Sequence, residues 1–313
     1  MNYSELRARL AALRRIDLNV VDVDLVKDRV YEVVRKYQTT VPLITNEQKF
    51  YRGVKLGFKP ERISQISYPP AEIVTRFQRV NRPNEPKFYC SVSREAPFFE
   101  LRCGAGDYVT ISRWRMIKQF FVNTVGYSQT ALAARGTSRK ELPQWTRHHA
   151  ATASPSNRML NEFLSHEFSR DVPDGCENQY KLSVAIAERL LGTFSNHGLV
   201  YKEMPEEGVF GGILYPALAM RGNSDNLAIL PHIVDECLRP EYVEYIFVKA
   251  KPGELKFEIE LLDFADTFSD EGLIEWKGRR PHWEIKDNRV YKVSAEDGKW
   301  VVRGPDGESL PMT

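Results

Sequence analysis

The chain has 313 residues, of which 42% are hydrophobic and 11% aromatic, as in a soluble globular protein with a sizeable core. Its 44 basic and 42 acidic residues leave a formal charge of only +2, which excludes a strong bulk attraction to nucleic acid or to anionic lipid. This length fits one large domain with appendages, or two domains.

No apolar run in the sequence approaches the length needed to cross a bilayer, and the N-terminal stretch carries arginines where a signal peptide has an apolar core. The cysteines are scattered along the chain without a C-x-x-C pair, at Cys90, Cys103, Cys176 and Cys237. These features favour a cytoplasmic location with free, mostly buried thiols.

Residues 1–44 are predicted to form a helical extension of two helices. Apolar residues recur at helical spacing in each half, and Ser4 and Asp24 are candidate N-caps. We expect both apolar stripes to pack against the rest of the chain, the alternative being a dimer or partner surface.

Residues 45–264 form the predicted main domain. Short apolar runs typical of strands begin at residue 50, and the middle of the chain has a helical pattern that includes segments 114–124, 161–168 and 182–191. Strands are predicted again at 244–248 and at 255–261, where apolar residues alternate. Residues 265–313 are predicted to be a small β-rich appendage with short strands near 274–276, 283–285, 290–293 and 300–302.

The most informative stretch runs from Arg79 to Glu100. Residues 87–90 are typical of a short strand after a proline-containing turn, and Ser91 or Ser93 is expected to cap the helix that follows. Pro97 fits that helix only in its first turn. Glu100 then lies about two turns into the helix, and an arginine, a tyrosine and a carboxylate come close together.

The spacing Arg79-x-Asn81-x4-Pro86-x2-Tyr89-x-Ser91-x8-Glu100 resembles that of the RES domain, a family named for its Arg, Glu and Ser. Four further parts of the chain are similar to the same family in the same order: 50–53, 106–109, 180–188, and 212–217 with 226–229. Five ordered blocks, covering roughly residues 45–250, are more specific than any single motif.

This resemblance implies an α+β fold similar to that of ADP-ribosyltransferases, and an enzyme that consumes NAD by breaking the bond between nicotinamide and ribose. Nicotinamide leaves as a neutral molecule, so no acid has to protonate it. The oxocarbenium-like transition state then needs one carboxylate, where glycosidases use two. NAD is therefore the expected substrate. No metal is expected, because the six histidines are dispersed without ligand spacing.

Four residues carry the expected catalysis and most of the binding. Glu100 is expected to bind the ribose 2′-hydroxyl and to stabilise the positive charge that develops on the sugar. Arg52 and Arg79 match the two arginines of the family, and guanidinium groups suit a diphosphate. Tyr89, with Tyr51 in reserve, offers an aromatic face for nicotinamide.

Two further positions belong to the expected binding site. Asn81 is expected to fix the turn rather than to touch the substrate. Ala217 stands where the family has a serine, two places after a tyrosine. Three consequences are considered: loss of the hydroxyl lowers the rate, Ser224 or a water replaces it, or the pocket binds a ligand without turning it over.

Each assignment has a structural alternative. Single arginines most often form ordinary ion pairs, Tyr89 alone would be a core aromatic, and Glu100 alone would be a surface residue on a buried helix. The shared family spacing is what favours the functional interpretation. Ser91 is expected to act only as a helix cap.

Three functions are considered. The first is an NAD-consuming toxin or defence effector that passes ADP-ribose to water, phosphate or a macromolecule. Because toxins of the family pair with an antitoxin, candidate partners are a protein antitoxin or regulator and a second copy of the chain. The second is a non-catalytic module that binds NAD or ADP-ribose, suggested by Ala217. The third is a structural or partner-binding protein that uses the two extensions.

Overall fold

The computed structural model describes residues 2–35, 37, 42–44, 48–143, 146, 153–191, 193–195, 207–254, 256–278, 291–296 and 299–303. Within these residues a large mixed sheet is combined with helices. The architecture is mixed α/β and fits the α+β class that the sequence predicts.

The two predicted N-terminal helices are confirmed as α1 (Tyr3–Arg14) and α2 (Val23–Val34). Both predicted caps are wrong, since Ser4 and Asp24 lie inside the helices. The caps are Asn2, which accepts a hydrogen bond from the Glu5 amide, and Asp22, which accepts one from the Asp24 amide.

The other helices, in chain order, are α3 (Ile63–Ile66), α4 (Ala96–Glu100), α5 (Gln129–Ala134), α6 (Pro155–Phe168), α7 (Lys181–Leu190) and α8 (Pro231–Cys237). The first strands are β1 (Leu43–Ile44), β2 (Lys49–Val54), β3 (Phe88–Ser91), β4 (Tyr108–Met116), β5 (Phe120–Thr124), β6 (Thr193–Ser195) and β7 (Glu207–Val209). The later strands are β8 (Gly212–Pro216), β9 (Asp225–Ile229), β10 (Leu238–Gly253), β11 (Lys256–Ala265), β12 (Tyr291–Glu296) and β13 (Lys299–Arg303).

The main sheet of the described residues has the order β1-β5-β8-β9-β3-β2-β4-β10-β11-β12-β13. Strands β5 and β8 are parallel, whereas the strands around the centre are antiparallel. Between β2 and β3 the pairing is reduced to one residue pair, Tyr51 with Ser91. Two well-paired halves of the sheet therefore meet at a narrow junction.

The segment 114–124, predicted to be helical, is the end of β4 followed by β5, so that prediction is wrong. Trp114 lies opposite Phe50 of β2 and opposite Pro240 of β10, and this long-range pairing overrides the local pattern. The helices predicted at 161–168 and 182–191 are confirmed by α6 and α7.

The strands predicted at 244–248 and 255–261 are confirmed in β10 and β11. Those predicted at 290–293 and 300–302 fall in β12 and β13, which continue the main sheet beyond β11. Near 274–276 the structure has single bridges, including one between Phe268 and Ile274, in place of a strand. Segment 283–285 lies outside the described residues.

Three buried clusters hold these elements together. The first joins α1 and α2 to α6 and α7, with Leu10, Val30, Phe163 and Ile186 among its members, so both N-terminal helices pack on this chain. The second lies around Phe50 and the centre of the sheet. The third fixes α4 against β4, β10 and β11. Burial of these apolar side chains is the main stabilising contribution to the fold.

No helix in the described part of the chain has both the length and the apolar character that crossing a membrane requires.

Candidate functional site

A cavity of about 420 Å³ opens at the junction between β2 and β3. This volume is in the range of small-molecule sites, roughly 300–1,000 Å³. Six of the seven residues that the sequence analysis selects line it: Tyr51, Arg52, Arg79, Asn81, Tyr89 and Glu100. The seventh, Ala217, is fully buried and is not among the lining residues.

A close approach of α4 to β2 brings Glu100 to the cavity. A Cβ atom added at Gly53 would lie 2.7 Å from Cβ of Pro97 and 2.8 Å from Cδ1 of Leu101. Glycine is therefore the residue that lets the helix lie directly on the strand. Pro97 occupies the first turn of α4, as predicted, where its missing N–H leaves no hydrogen bond unmade.

Two local predictions around α4 are wrong. The helix has five residues and Glu100 is its last, so this side chain lies about one turn from the start and not two. Neither predicted serine caps the helix: Ser91 donates a hydrogen bond to Oδ1 of Asn226, and Ser93 bonds Oγ of Ser224 at 2.8 Å. Ser91 instead ends β3 and lines the cavity.

Arg52 reaches the cavity from β2. Its Nε donates to the carbonyl oxygen of Ser67 at 2.9 Å and its Nη1 to that of Tyr89 at 2.8 Å. Among the described residues it has no carboxylate partner, and its Nη2 makes no hydrogen bond. Burial lowers the pKa of Arg52 to about 10, which still leaves the guanidinium charged at neutral pH.

Arg79 enters from the loop before β3. Its guanidinium donates to the carbonyl oxygens of Phe168 and Arg170 at the C-terminal end of α6, and it lies 5.4 Å from the centre of the Tyr180 ring. The negative end of the helix dipole thus stabilises its charge. Like Arg52, it forms no ion pair with a carboxylate in the part of the chain described.

The hydroxyl of Tyr89 makes two hydrogen bonds: it donates one to Oδ1 of Asn81 at 2.6 Å and accepts one from the amide of Val80. Burial raises the pKa of Tyr89 far above its usual value, so the hydroxyl keeps its proton. Asn81 also donates to the carbonyl oxygen of Arg82. Tyr89 therefore presents an immobile ring to the cavity, while Asn81 fixes the turn and lines the cavity as well.

Glu100 is the acidic side chain in this lining. It keeps exposed surface towards the open cavity, although protein atoms crowd it on its other sides. This desolvation raises its pKa. A hydrogen bond of 2.7 Å from Nδ2 of Asn226, the charge of Arg79 and the main-chain amide of Ala219 act in the opposite direction.

Position 217 lies behind the cavity wall. The Ala217 amide donates to the carbonyl oxygen of Ser224, and its side chain packs in the same cluster as Phe98 and Met220. Ser224 is also buried, and its hydroxyl is bonded to Ser93. Neither residue lines the cavity, so Ser224 does not supply the missing hydroxyl there.

Several other residues line the cavity without a predicted role, among them Lys87, Tyr180, Tyr215 and Asn226. All of these except Lys87 lie in the sequence blocks 180–188, 212–217 and 226–229. Their position in these blocks is the sequence signal that could have identified them. Lys87 is nearly buried, which lowers its pKa, and its distance to the Glu85 carboxylate is 3.8 Å. It adds a third basic side chain to the lining.

The described residues contain no group of three or more His, Cys, Asp or Glu side chains arranged to hold a metal ion. All four cysteines are free; three are buried and Cys176 is exposed. His148 and His149 lie outside the described residues. Among the described lining residues, the charged groups are two guanidinium groups, the amino group of Lys87 and one carboxylate, and they lie beside several aromatic rings.

Comparison of the chain with models of protein families, with curated proteins and with solved structures gives no match. The functional interpretation therefore depends on the cavity residues and their chemistry.

Proposed function

We propose that this chain is an NAD-consuming enzyme that breaks the nicotinamide–ribose bond in the cavity between β2 and β3. One observation carries the proposal: Arg52 and Arg79, two guanidinium groups without carboxylate partners among the described residues, line the same cavity as the carboxylate of Glu100. A ligand that fits this site has two negative charges near the arginines. Near the Glu100 carboxylate it has a polar group or a group on which positive charge develops.

The diphosphate of NAD meets the first requirement. Charged guanidinium groups bind phosphate oxygens through paired, charge-assisted hydrogen bonds. Both arginines are already held by main-chain carbonyl groups, so little side-chain entropy is lost when an anion binds. Lys87, on the same cavity, supplies further positive charge.

The ribose next to nicotinamide meets the second requirement. As the C–N bond breaks, its electron pair stays on the pyridine nitrogen, nicotinamide departs uncharged, and positive charge builds up on the sugar. The Glu100 carboxylate accepts a hydrogen bond from the 2′-hydroxyl and stabilises that charge. Water, phosphate or a macromolecular nucleophile then bonds to the anomeric carbon and gives up its proton.

Tyr89 holds the nicotinamide ring. Because its hydroxyl is bonded to Asn81 and Val80, what it offers a ligand is the aromatic face. Tyr51, across the strand junction, is the alternative for this role, and its phenol also stays protonated because burial raises its pKa.

Membership of the RES family, with its ADP-ribosyltransferase-like fold, is part of this proposal. Supporting it are the five ordered sequence blocks and an architecture that fits the α+β class. A toxin or defence effector is then the biological role, with a protein antitoxin or regulator, or a second copy of the chain, as partner. Cytoplasmic NAD is the substrate pool that such a role requires.

Release of nicotinamide from NAD tests the activity. Purified protein is incubated with NAD in buffer alone, with phosphate, and with cell protein or nucleic acid as acceptor, and free nicotinamide is quantified. Glu100→Gln keeps the side-chain shape and removes the charge, and Glu254→Gln is the matched control because Glu254 is 86% exposed and is not among the lining residues. No release above the Glu100→Gln background with any acceptor would contradict the proposal.

A non-catalytic module that binds NAD or ADP-ribose is the second candidate, and position 217 favours it. The side chain there is a fully buried alanine, and Ser224 does not reach the cavity. Calorimetric binding of NAD without nicotinamide release would support this candidate. Turnover that appears only in Ala217→Ser would show that the missing hydroxyl is the cause.

A further inference from the structure

The carboxylate of Glu100 is connected to a chain of hydrogen bonds that crosses two strands. Asn226 of β9 pairs with Ser91 of β3 in the sheet register. The Ser91 hydroxyl donates to Oδ1 of Asn226, and Nδ2 of Asn226 donates to Oε1 of Glu100 at 2.7 Å. Ser91 and Asn226 are 3% and 4% exposed, so solvent competes little for the bond between them.

This chain has a fixed direction. A carboxamide has an acceptor end and a donor end. The Ser91 hydroxyl donates to the acceptor end of Asn226 and the NH2 group is turned towards Glu100, the direction that an acceptor-only carboxylate selects. An NH2 group can only donate, and it donates more strongly to a carboxylate than to a neutral carboxylic acid.

We propose that Asn226, oriented by Ser91, is a positioning residue that keeps Glu100 ionised and holds its Oε1, which leaves Oε2 for the substrate hydroxyl. This inference rests on the proposed function only for the identity of that substrate. The ionisation of Glu100 itself is measurable without NAD.

The other groups around Glu100 are few. Arg79 and Arg102 act on it as positive charges, the main-chain amide of Ala219 acts in the same direction, and the phenol of Tyr215 lies near it in protonated form. Desolvation raises the pKa of Glu100, and the Asn226 hydrogen bond is the largest effect that lowers it. Loss of this bond therefore moves the pKa of Glu100 further up.

The experiment titrates Glu100 directly. Protein labelled with ¹³C-glutamate is followed by NMR across the acidic and neutral range, and the Glu100 carboxyl signal is identified by its loss in Glu100→Gln. Wild type is compared with Asn226→Ala and with Asn226→Asp. The aspartate keeps the shape of the asparagine side chain and places a second carboxyl group against that of Glu100. Ser91→Ala removes the orienting hydroxyl, and Asn223→Ala is the matched control, because Asn223 bonds Thr137 and Ser138 instead.

The pKa of Glu100 is expected to rise in Asn226→Ala, to rise further in Asn226→Asp because like charges repel, and to rise least in Ser91→Ala. In Asn223→Ala it stays at the wild-type value. An unchanged titration in a folded Asn226 variant would overturn the inference, whether or not the protein turns over NAD.

Nicotinamide release supplies the second readout. At about pH 6, Asn226→Ala is expected to lose roughly tenfold in kcat/KM, the value of one hydrogen bond to a charged group, and to recover part of that loss as pH rises. A purely structural role would lower the rate equally at every pH. If the titration shifts but no variant releases nicotinamide, the positioning role stands and the proposed reaction fails.

Discussion

Tyr51 and Ser91 form the residue pair through which β2 and β3 meet in the described part of the sheet. Both residues also line the cavity, so the narrowest point of the sheet is part of the candidate site. Arg52, next to Tyr51, reaches the Tyr89 carbonyl oxygen across this junction. The side chain proposed to bind substrate therefore also helps to join the two halves of the sheet.

Replacing Arg52 or Arg79 by lysine is expected to weaken ADP-ribose binding by roughly tenfold or more, because lysine cannot make paired hydrogen bonds to a diphosphate. At position 52 the same burial that lowers the pKa of the guanidinium to about 10 would favour loss of the lysine proton. Isothermal titration calorimetry with ADP-ribose measures the change. Arg76→Lys is the control, since Arg76 is exposed and pairs with Glu177. Equal affinity in all variants would show that the anion binds elsewhere.

Gly53→Ala is expected to push α4 away from β2 and to destabilise the fold by about 1–3 kcal/mol, the usual cost of overpacking. The new methyl group would lie 2.7 Å from Cβ of Pro97. Thermal unfolding gives the loss of stability, and nicotinamide release gives the effect of moving Glu100. In Gly253→Ala the added Cβ meets nothing within 4 Å, so this variant should behave like wild type. If Gly53→Ala and Gly253→Ala have the same thermal stability and the same rate of nicotinamide release, then α4 tolerates displacement.

Glu95→Gln is expected to raise the melting temperature near neutral pH. Glu95 is 1% exposed and neither carboxyl oxygen has a hydrogen-bond partner among the described residues, so burial raises its pKa above the usual 4.5. The folded protein then binds this proton more tightly than the unfolded chain, and wild-type stability falls as pH rises above 4.5. Glutamine carries no such cost, so the gain should disappear at or below that pH. A melting-temperature difference that does not depend on pH would rule out ionisation of Glu95 as its cause.

The rate of nicotinamide release is expected to fall on the acid side of its pH profile. The reaction needs the Glu100 carboxylate, and burial raises the pKa of that group above 4.5, so the acidic limb of kcat/KM should lie above this value. Steady-state rates across the acidic range measure it. A profile that stays flat down to pH 4.5 would indicate that a different group, or none, provides the charge.

Local patterns in the sequence predicted the elements whose apolar periodicity fits only one type of secondary structure. The helices α1, α2, α6 and α7 follow from apolar residues at helical spacing, and the strand β11 follows from strict alternation. The helix predicted for segment 114–124 is wrong because the apolar spacing of this segment suits either a helix or a strand. Pairing of β4 with β2 and β10, far away in sequence, decides it.

From the sequence alone, only the site residues that lie in one continuous block could be predicted to come together. Arg79, Tyr89 and Glu100 lie within 22 residues, so their spacing could be read directly. Asn226 contacts Ser91 across 135 positions and Glu100 across 126, and the register that unites them depends on the sheet order. For this reason the sequence predicts that Ser91 caps the nearest helix, whereas in the structure Ser91 bonds Asn226 of the distant strand β9.

A crystal structure of Glu100→Gln soaked with NAD tests the central claim most directly, because the variant should bind NAD without consuming it. The account predicts the diphosphate between Arg52 and Arg79, the nicotinamide ring against Tyr89, and the 2′-hydroxyl of the adjoining ribose beside residue 100. Density for NAD outside this cavity, or a cavity that stays empty at saturating NAD, would contradict it.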